Sequence, residues 1–419
     1  MSVVKPFRGV RPRPDLVEKV AAVPYDVVNF EEACEIARPN PYCFLRIEKS
    51  EIDLEPGLHV HDMRIFEKAQ ENLEKFIKEG TMIRDPKKCY YIYRQIMKIG
   101  DKDHSQVGLL AGASVEEYEK DLIKKHEHTR KDKEEERTLH VDTANANTGP
   151  VFLAYKQKKS IDAIVDEIIK HKPEYDFTAG DGIKHTLWVV SEDERINKIA
   201  EEFKKVDCLY VADGHHRSAA GTRVAQKRRE ENPHHTGEEE YNFFLSVIFP
   251  SNQLYIMDYN RVVKTLGGNT AEEFLNKISK KFTVEKKGKD HFKPGEVHTF
   301  GMYLDGLWYK LTAKEGTYPG NDPVNSLDVA ILQANLLDPI LGIKNPREDK
   351  NIDFIGGMRG LKELVRLVDS GKFKVAFAMF PTTMEQLMKV ADQGKVMPPK
   401  STWFEPKLRS GMVVHLLED

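Results

Sequence analysis

The sequence predicts a mixed α/β protein of the α+β class, built in two halves, on three observations. Apolar strand-like runs and amphipathic helical runs succeed one another along the whole chain. Residues 208–217 read as a strand, a turn at Gly214 and a helix start. A polar break, Pro233-His234-His235-Thr236-Gly237, then marks a boundary between a domain over 1–236 and a second mixed α/β domain over 237–419 packed against it.

The first residues are dense in Pro and Arg (Lys5-Pro6-Phe7-Arg8-Gly9-Val10-Arg11-Pro12-Arg13-Pro14), which excludes a regular helix and predicts an extended arm. Asp15 is placed to cap a short turn through Val20, and Asn29 to cap a helix over 30–37. The clearest helix is 62–79, where Ile65, Phe66, Ala69, Leu73, Phe76 and Ile77 share a face and Gly80 supplies the stop. Residues 90–93 and 106–113 read as strands, and the charge-crowded stretch 115–137 as a solvated helix. Helices follow at 160–171 and 193–206, with a strand at 186–190 between them. The apolar strand 208–212 runs into Asp213-Gly214, and a helix extends from near His216 to about Glu231. Beyond the break, 241–250 and 254–258 read as a β-hairpin joined by Pro250-Ser251-Asn252-Gln253. A helix at 271–282, strands near 299–304 and 307–311, a helix at 327–337, a strand at 374–380 and a helix at 383–393 complete the second half.

The bulk numbers bound the function. With 64 basic against 67 acidic residues and a net charge of −3, the chain lacks the basic excess of a dedicated nucleic-acid binder. Four scattered cysteines without a C-x-x-C pair argue against a disulfide framework and fit reduced thiols in a cytoplasmic protein. No secretory h-region is visible, and apolar runs such as 243–249 fall far short of the ~20 residues a membrane helix needs. The apolar content of the second half fits a homodimer as readily as a simple core.

Three clusters could carry chemistry. In Ala212-Asp213-Gly214-His215-His216-Arg217, a strand passes through glycine into a helix, so free backbone N–H groups and the helix dipole favour an anion, and Arg217 adds a bidentate donor. Asp213 is placed to cap that helix or to hold a metal. In Lys124-Lys125-His126-Glu127-His128-Thr129, alternating histidines could share one side; Glu127 suits a general base or a Mg²⁺ ligand, and an H-x-H zinc site is the alternative. Residues 397–407 form a proline-stiffened, cationic, hydroxyl-rich loop with Lys400, Ser401, Thr402 and Lys407, which could hold a phosphate or anchor the tail through Trp403 and Phe404. No Walker loop, dinucleotide G-x-G-x-x-G or G-x-S-x-G elbow is present, which disfavours P-loop kinases, NAD enzymes and α/β-hydrolases.

Taken in order, Lys5-Pro6-Phe7-Arg8-Gly9, Pro24-Tyr25-Asp26-Val27-Val28, Asn40-Pro41 with Phe44-Leu45, His126-Glu127-His128-Thr129, the Asp213–Arg217 run and residues 397–407 resemble bacterial domain-of-unknown-function family 1015, which carries a ParB-like label. The D-G-H-H-R element also resembles the phosphate motif of the ParB/sulfiredoxin-like fold, shared by chromosome-partition proteins, sulfiredoxin and free-serine kinases. That resemblance implies a ParB/sulfiredoxin-like first half and a small-molecule phosphotransferase using ADP or ATP with Mg²⁺. Asp213, Gly214, His215, His216 and Arg217 would then cradle phosphate, with His215 and His216 also stabilising charge on the transferring group and Asp213 as the metal ligand. Glu127 and Asp26 are the candidate bases by chemistry alone. Arg8, Arg11, Tyr25, His126, His128, Thr129, Lys400, Ser401 and Lys407 are candidate neighbours of substrate or phosphate. A ParB-like nucleotide- or DNA-binding regulator without turnover is the second expectation, although no basic helix-turn-helix follows residue 237.

Overall fold

Local chemistry decides most elements. Asn29 and Glu32 form a reciprocal capping box that starts the helix Phe30–Ala37. Asp62 accepts from the Arg64 N–H to start Met63–Lys78, whose Ile65, Phe66, Ala69, Leu73 and Phe76 are all buried. Asp15, expected as a cap, instead binds the Arg13 guanidinium, and the short helix Val17–Val20 starts after Leu16 without a side-chain cap. The computed structural model describes residues 2–418, and the chain divides into two compact units: Met1–Leu254 with Pro406–Asp419, and Tyr255–Glu405. The polar break at 233–237 lies inside the first unit, because the strand Phe243–Pro250 that follows it pairs in the first unit's sheet.

That sheet has nine strands. In hydrogen-bonded order they run Ile123–Lys124, Leu209–Asp213, Val151–Tyr155, Phe243–Pro250, Lys102–Ser114, Tyr90–Ile99, Lys184–Val190 and Tyr175–Thr178, with Val4–Lys5 also on Lys102–Ser114. Two pairings are parallel, Leu209–Asp213 with Ile123–Lys124 and Phe243–Pro250 with Val151–Tyr155; the rest are antiparallel. The expected 241–258 hairpin does not form. Every residue of Phe243–Pro250 is buried, as a central strand requires, and it takes neighbours on both sides from earlier in the chain. Tyr255–Ile256 pairs with Phe404–Glu405 instead.

The expected solvated helix over 115–137 is also broken. A short helix Val115–Glu119 stops at Asp121, whose φ of 57° is left-handed, and buried Ile123 then enters the sheet. The helix resumes as Lys131–Ala144, which buries Arg137, His140, Val141 and Ala144. The C-terminal segment is held in the first unit by bridges from Val414 to Val10 and from Ser410 to Ala22, and by pairing of His415–Leu416 with Ala146–Asn147. The four cysteines are free thiols.

The second unit is a six-stranded antiparallel sheet in the order Phe282–Gly288, Leu307–Ala313, Thr299–Leu304, Val375–Ala378, Tyr259–Val263, Ile352–Gly356. The helix Gly360–Asp369 buries Leu364, Leu367 and Val368 against Val262, Trp308 and Ala376. Among the described residues no helix is long and apolar enough to cross a membrane.

Candidate functional site

The strand Leu209–Asp213 ends at Gly214, which adopts φ 93° and ψ 30°, a left-handed conformation that glycine reaches without a Cβ penalty. The 17-residue helix His215–Glu231 begins there, and no side chain caps it. Its first-turn N–H groups thus lack a side-chain cap, the arrangement on which the expectation of an anion site rests. Asp213 is neither a cap nor an uncommitted metal ligand. One carboxylate oxygen accepts from the Gly214 N–H at 2.8 Å and the other from the Lys407 ammonium at 2.9 Å. Burial would raise the Asp213 pKa, but Lys407 foremost, with Arg217, holds it well below the usual carboxylate range.

Lys407 reaches this point because its segment is pinned on both sides. Gln95 donates to the Lys407 carbonyl at 2.9 Å, and Arg409 donates to His185 Nε2 at 3.3 Å. Arg217, largely buried, donates to the Pro150 carbonyl and, at 3.4 Å, to the exposed carboxylate of Asp26. Its guanidinium lies 5.7 Å from the centre of the Tyr25 ring, and that of Arg137 lies 4.0 Å from the same ring. Arg137 in turn donates to buried Glu48, which also accepts from Thr148. A cavity of about 420 Å³ adjoins this cluster, lined by Tyr25, Phe30, Glu48, Lys133 and Arg137 among others. Glu48 escapes the sequence reading; its signal is an acid directly after the largely apolar Phe44-Leu45-Arg46-Ile47.

The two histidines of the motif diverge. His216 accepts the Arg130 backbone N–H on Nε2 at 3.1 Å, which leaves the ring proton on Nδ1. Burial lowers its pKa. His215 turns inward, 6% exposed, and meets His126 with ring centroids 4.5 Å apart and planes at 85°. The ring nitrogens of His126 are buried beside the Val211 backbone, and Nε2 of His215 is buried without a hydrogen-bond partner. Burial drives the His126 pKa down to about 4, opposed by the Val211 backbone and Asp213, and drives that of His215 well below its ordinary value.

Other expected neighbours are engaged elsewhere. Arg8 donates to the Asp85 carbonyl, and Arg11 is bound by Asp85, Glu174 and Tyr175. Thr129 donates to Glu134, and His128 is exposed, as is Glu127. Lys400 and Ser401 belong to the second unit, where Lys400 lies over the Tyr259 ring and Ser401 donates to the Pro398 carbonyl.

A family model described as a protein of unknown function (DUF1015) matches residues 4–330. Among solved structures, a mutant free serine kinase in complex with AMP aligns at 14% identity and a TM-score of 0.34, over 68% of this chain and 84% of that one. A conserved hypothetical protein from Pyrococcus furiosus aligns at 15% identity and a TM-score of 0.34, over 71% and 93%. SbnI with a C-terminal truncation, from Staphylococcus aureus, aligns at 10% identity and a TM-score of 0.33, over 71% and 82%. No curated protein matches.

Proposed function

For a chain that belongs to the DUF1015 family, we propose a nucleotide-dependent phosphotransferase that moves a phosphoryl group from ADP or ATP to a small hydroxylated metabolite such as free serine. The observation that carries this reading is that Arg217, in the first turn of an uncapped helix and bound to Asp26, lies over the ring of Tyr25, which lines a cavity of about 420 Å³. A cavity of that size suits a small ligand. The open amides of the helix and the Arg217 guanidinium supply the donors that a phosphate needs. The cavity wall also carries Glu31, whose carboxylate suits the ammonium group of an amino acid, while Glu48, Glu51 and Glu55 there are paired with Arg137, Lys49 and Arg64.

In the transfer, the substrate hydroxyl oxygen forms a bond to the terminal phosphorus while the bond from that phosphorus to the nucleotide oxygen breaks. The hydroxyl proton passes to a carboxylate, Asp26 or Glu127. Arg217 and the helix amides stabilise the charge on the transferring group, which is most of what such catalysis requires. Mg²⁺ would arrive with the nucleotide and neutralise phosphate charge. Asp213, with both oxygens already accepting hydrogen bonds, fits poorly as its ligand, whereas Asp26, exposed and bound to Arg217 through one oxygen, fits better.

The test is to incubate the purified protein with ADP or ATP, Mg²⁺ and serine, and follow phosphoserine by ³¹P NMR. Arg217→Ala should lower turnover by at least about tenfold, the loss of one charged hydrogen bond. The absence of turnover across nucleotides and small hydroxylated metabolites, with no nucleotide binding by calorimetry, would overturn the reading.

A further inference from the structure

The strands Ile123–Lys124 and Leu209–Asp213 run parallel, with Leu209 opposite Ile123 and Tyr210 opposite Lys124. The segments that leave them therefore emerge at the same end of the sheet, which sets residues 126–127 beside residues 213–215. There the donor atoms of His126, Glu127 and His215 lie within 4.8 Å of one another. His126 is 2% and His215 6% exposed; Nε2 of His215 is buried without a partner, and the ring nitrogens of His126 are buried beside the Val211 backbone. A buried polar atom without a partner costs about 1–3 kcal/mol, so an imidazole left this way beside a second buried one calls for something that satisfies it.

We propose that His126, Glu127 and His215 form a binding site for a divalent first-row transition ion of the zinc class. Two imidazoles and one carboxylate are the donors that such ions prefer, whereas Mg²⁺ prefers oxygen and water. Ligand atoms around a tetrahedral ion with bonds of about 2.1 Å sit roughly 3.4 Å apart, so donors within 4.8 Å of one another need to close by at most about 1.4 Å. Glu127 is exposed and lies between the strand Ile123–Lys124 and the helix Lys131–Ala144. Three protein ligands leave a position open for water or a phosphate oxygen, at the head of the helix that presents the anion site. His128, the partner that an H-x-H pattern suggests, is exposed and outside the cluster; His215, on the next strand's helix, takes its place.

The site stands independently of phosphotransfer, because ion binding is read without nucleotide or turnover. Tag-free, full-length protein freed of metal by chelation is titrated with Co²⁺ and followed by visible absorption, then challenged with Zn²⁺ and with Mg²⁺. One Co²⁺ per chain is expected, displaced by Zn²⁺ and unaffected by Mg²⁺. Glu127→Gln should weaken binding by at least about tenfold, with the melting temperature of the metal-free protein measured beside it. His215→Asn should abolish binding. His59→Ala with His61→Ala removes a separate pair of neighbouring histidines and should leave it intact. Absence of stoichiometric Co²⁺, equal affinity in Glu127→Gln, or loss of binding only with the His59 and His61 changes would each overturn the proposal.

Discussion

Lys407 donates to the Asp213 carboxylate at 2.9 Å, joining residues 194 positions apart at the head of the site helix. The pair is partly exposed, with Asp213 34% and Lys407 19% accessible, so solvent screening reduces its worth below that of a fully buried pair. Lys407→Met is expected to destabilise the protein by about 1–2 kcal/mol, read as a lower midpoint in urea unfolding. A double-mutant cycle with Asp213→Asn should give a coupling energy of about 1 kcal/mol, since the two side chains share one contact. Strict additivity would remove this ion pair from the account of the site.

Gly214 carries the turn from strand to helix at φ 93°, and a Cβ there would stand 3.4 Å from the Val151 Cα. Space is adequate, so strain dominates. Gly214→Ala should cost about 1–2 kcal/mol and lower the melting temperature by about 2–8 °C. It should also weaken phosphate or nucleotide binding, because relieving the strain rotates the first-turn amides away from their common focus. A variant with unchanged melting and unchanged binding would refute the assigned role of this turn.

The strand-turn-helix at 208–217 is legible in the sequence because each of its causes is local: an apolar strand, a glycine at the turn, polar donors in the first turn. The helices Phe30–Ala37 and Met63–Lys78 are legible for the same reason, their caps lying within three residues. What is not legible depends on partners far along the chain. Phe243–Pro250 reads as one arm of a hairpin by proximity, yet its neighbours come from 102–114 and 151–155. The inward turn of His215 follows from the parallel pairing of 123–124 with 209–210, which no spacing announces. Arg8 and Arg11 read as free phosphate donors, but Asp85 and Glu174 claim them only once the chain is folded.

Tyr25 is 8% exposed and presents its ring to both Arg137 and Arg217. Tyr25→Phe keeps that aromatic surface and should leave stability within about 1 kcal/mol of the wild type. Tyr25→Ala opens a cavity and should cost about 3–5 kcal/mol. It also frees Arg217 from its stack, so nucleotide affinity should fall with it. Calorimetric titration of ADP into the three proteins distinguishes the cases: equal affinity in the Phe and Ala variants would show that the ring does not position Arg217.

In the second unit, Asp328 has one oxygen accepting the His298 N–H at 2.8 Å and the other buried without a partner. Burial pushes its pKa up to about 7, against the pull of that N–H and of Arg261. The folded chain therefore holds this proton more tightly than the unfolded chain, whose aspartate titrates near 4. The stabilisation is fully present below pH 4 and is lost as pH rises through about 7, so this group makes the protein less stable by a few kcal/mol across that window. Asp328→Asn keeps an acceptor for the His298 N–H and cannot ionise. Unfolding in urea, followed by tryptophan fluorescence at pH values from 4 to 8, should show the wild type losing stability toward neutral pH relative to Asp328→Asn. Parallel pH profiles for the two proteins would assign the slope to another group.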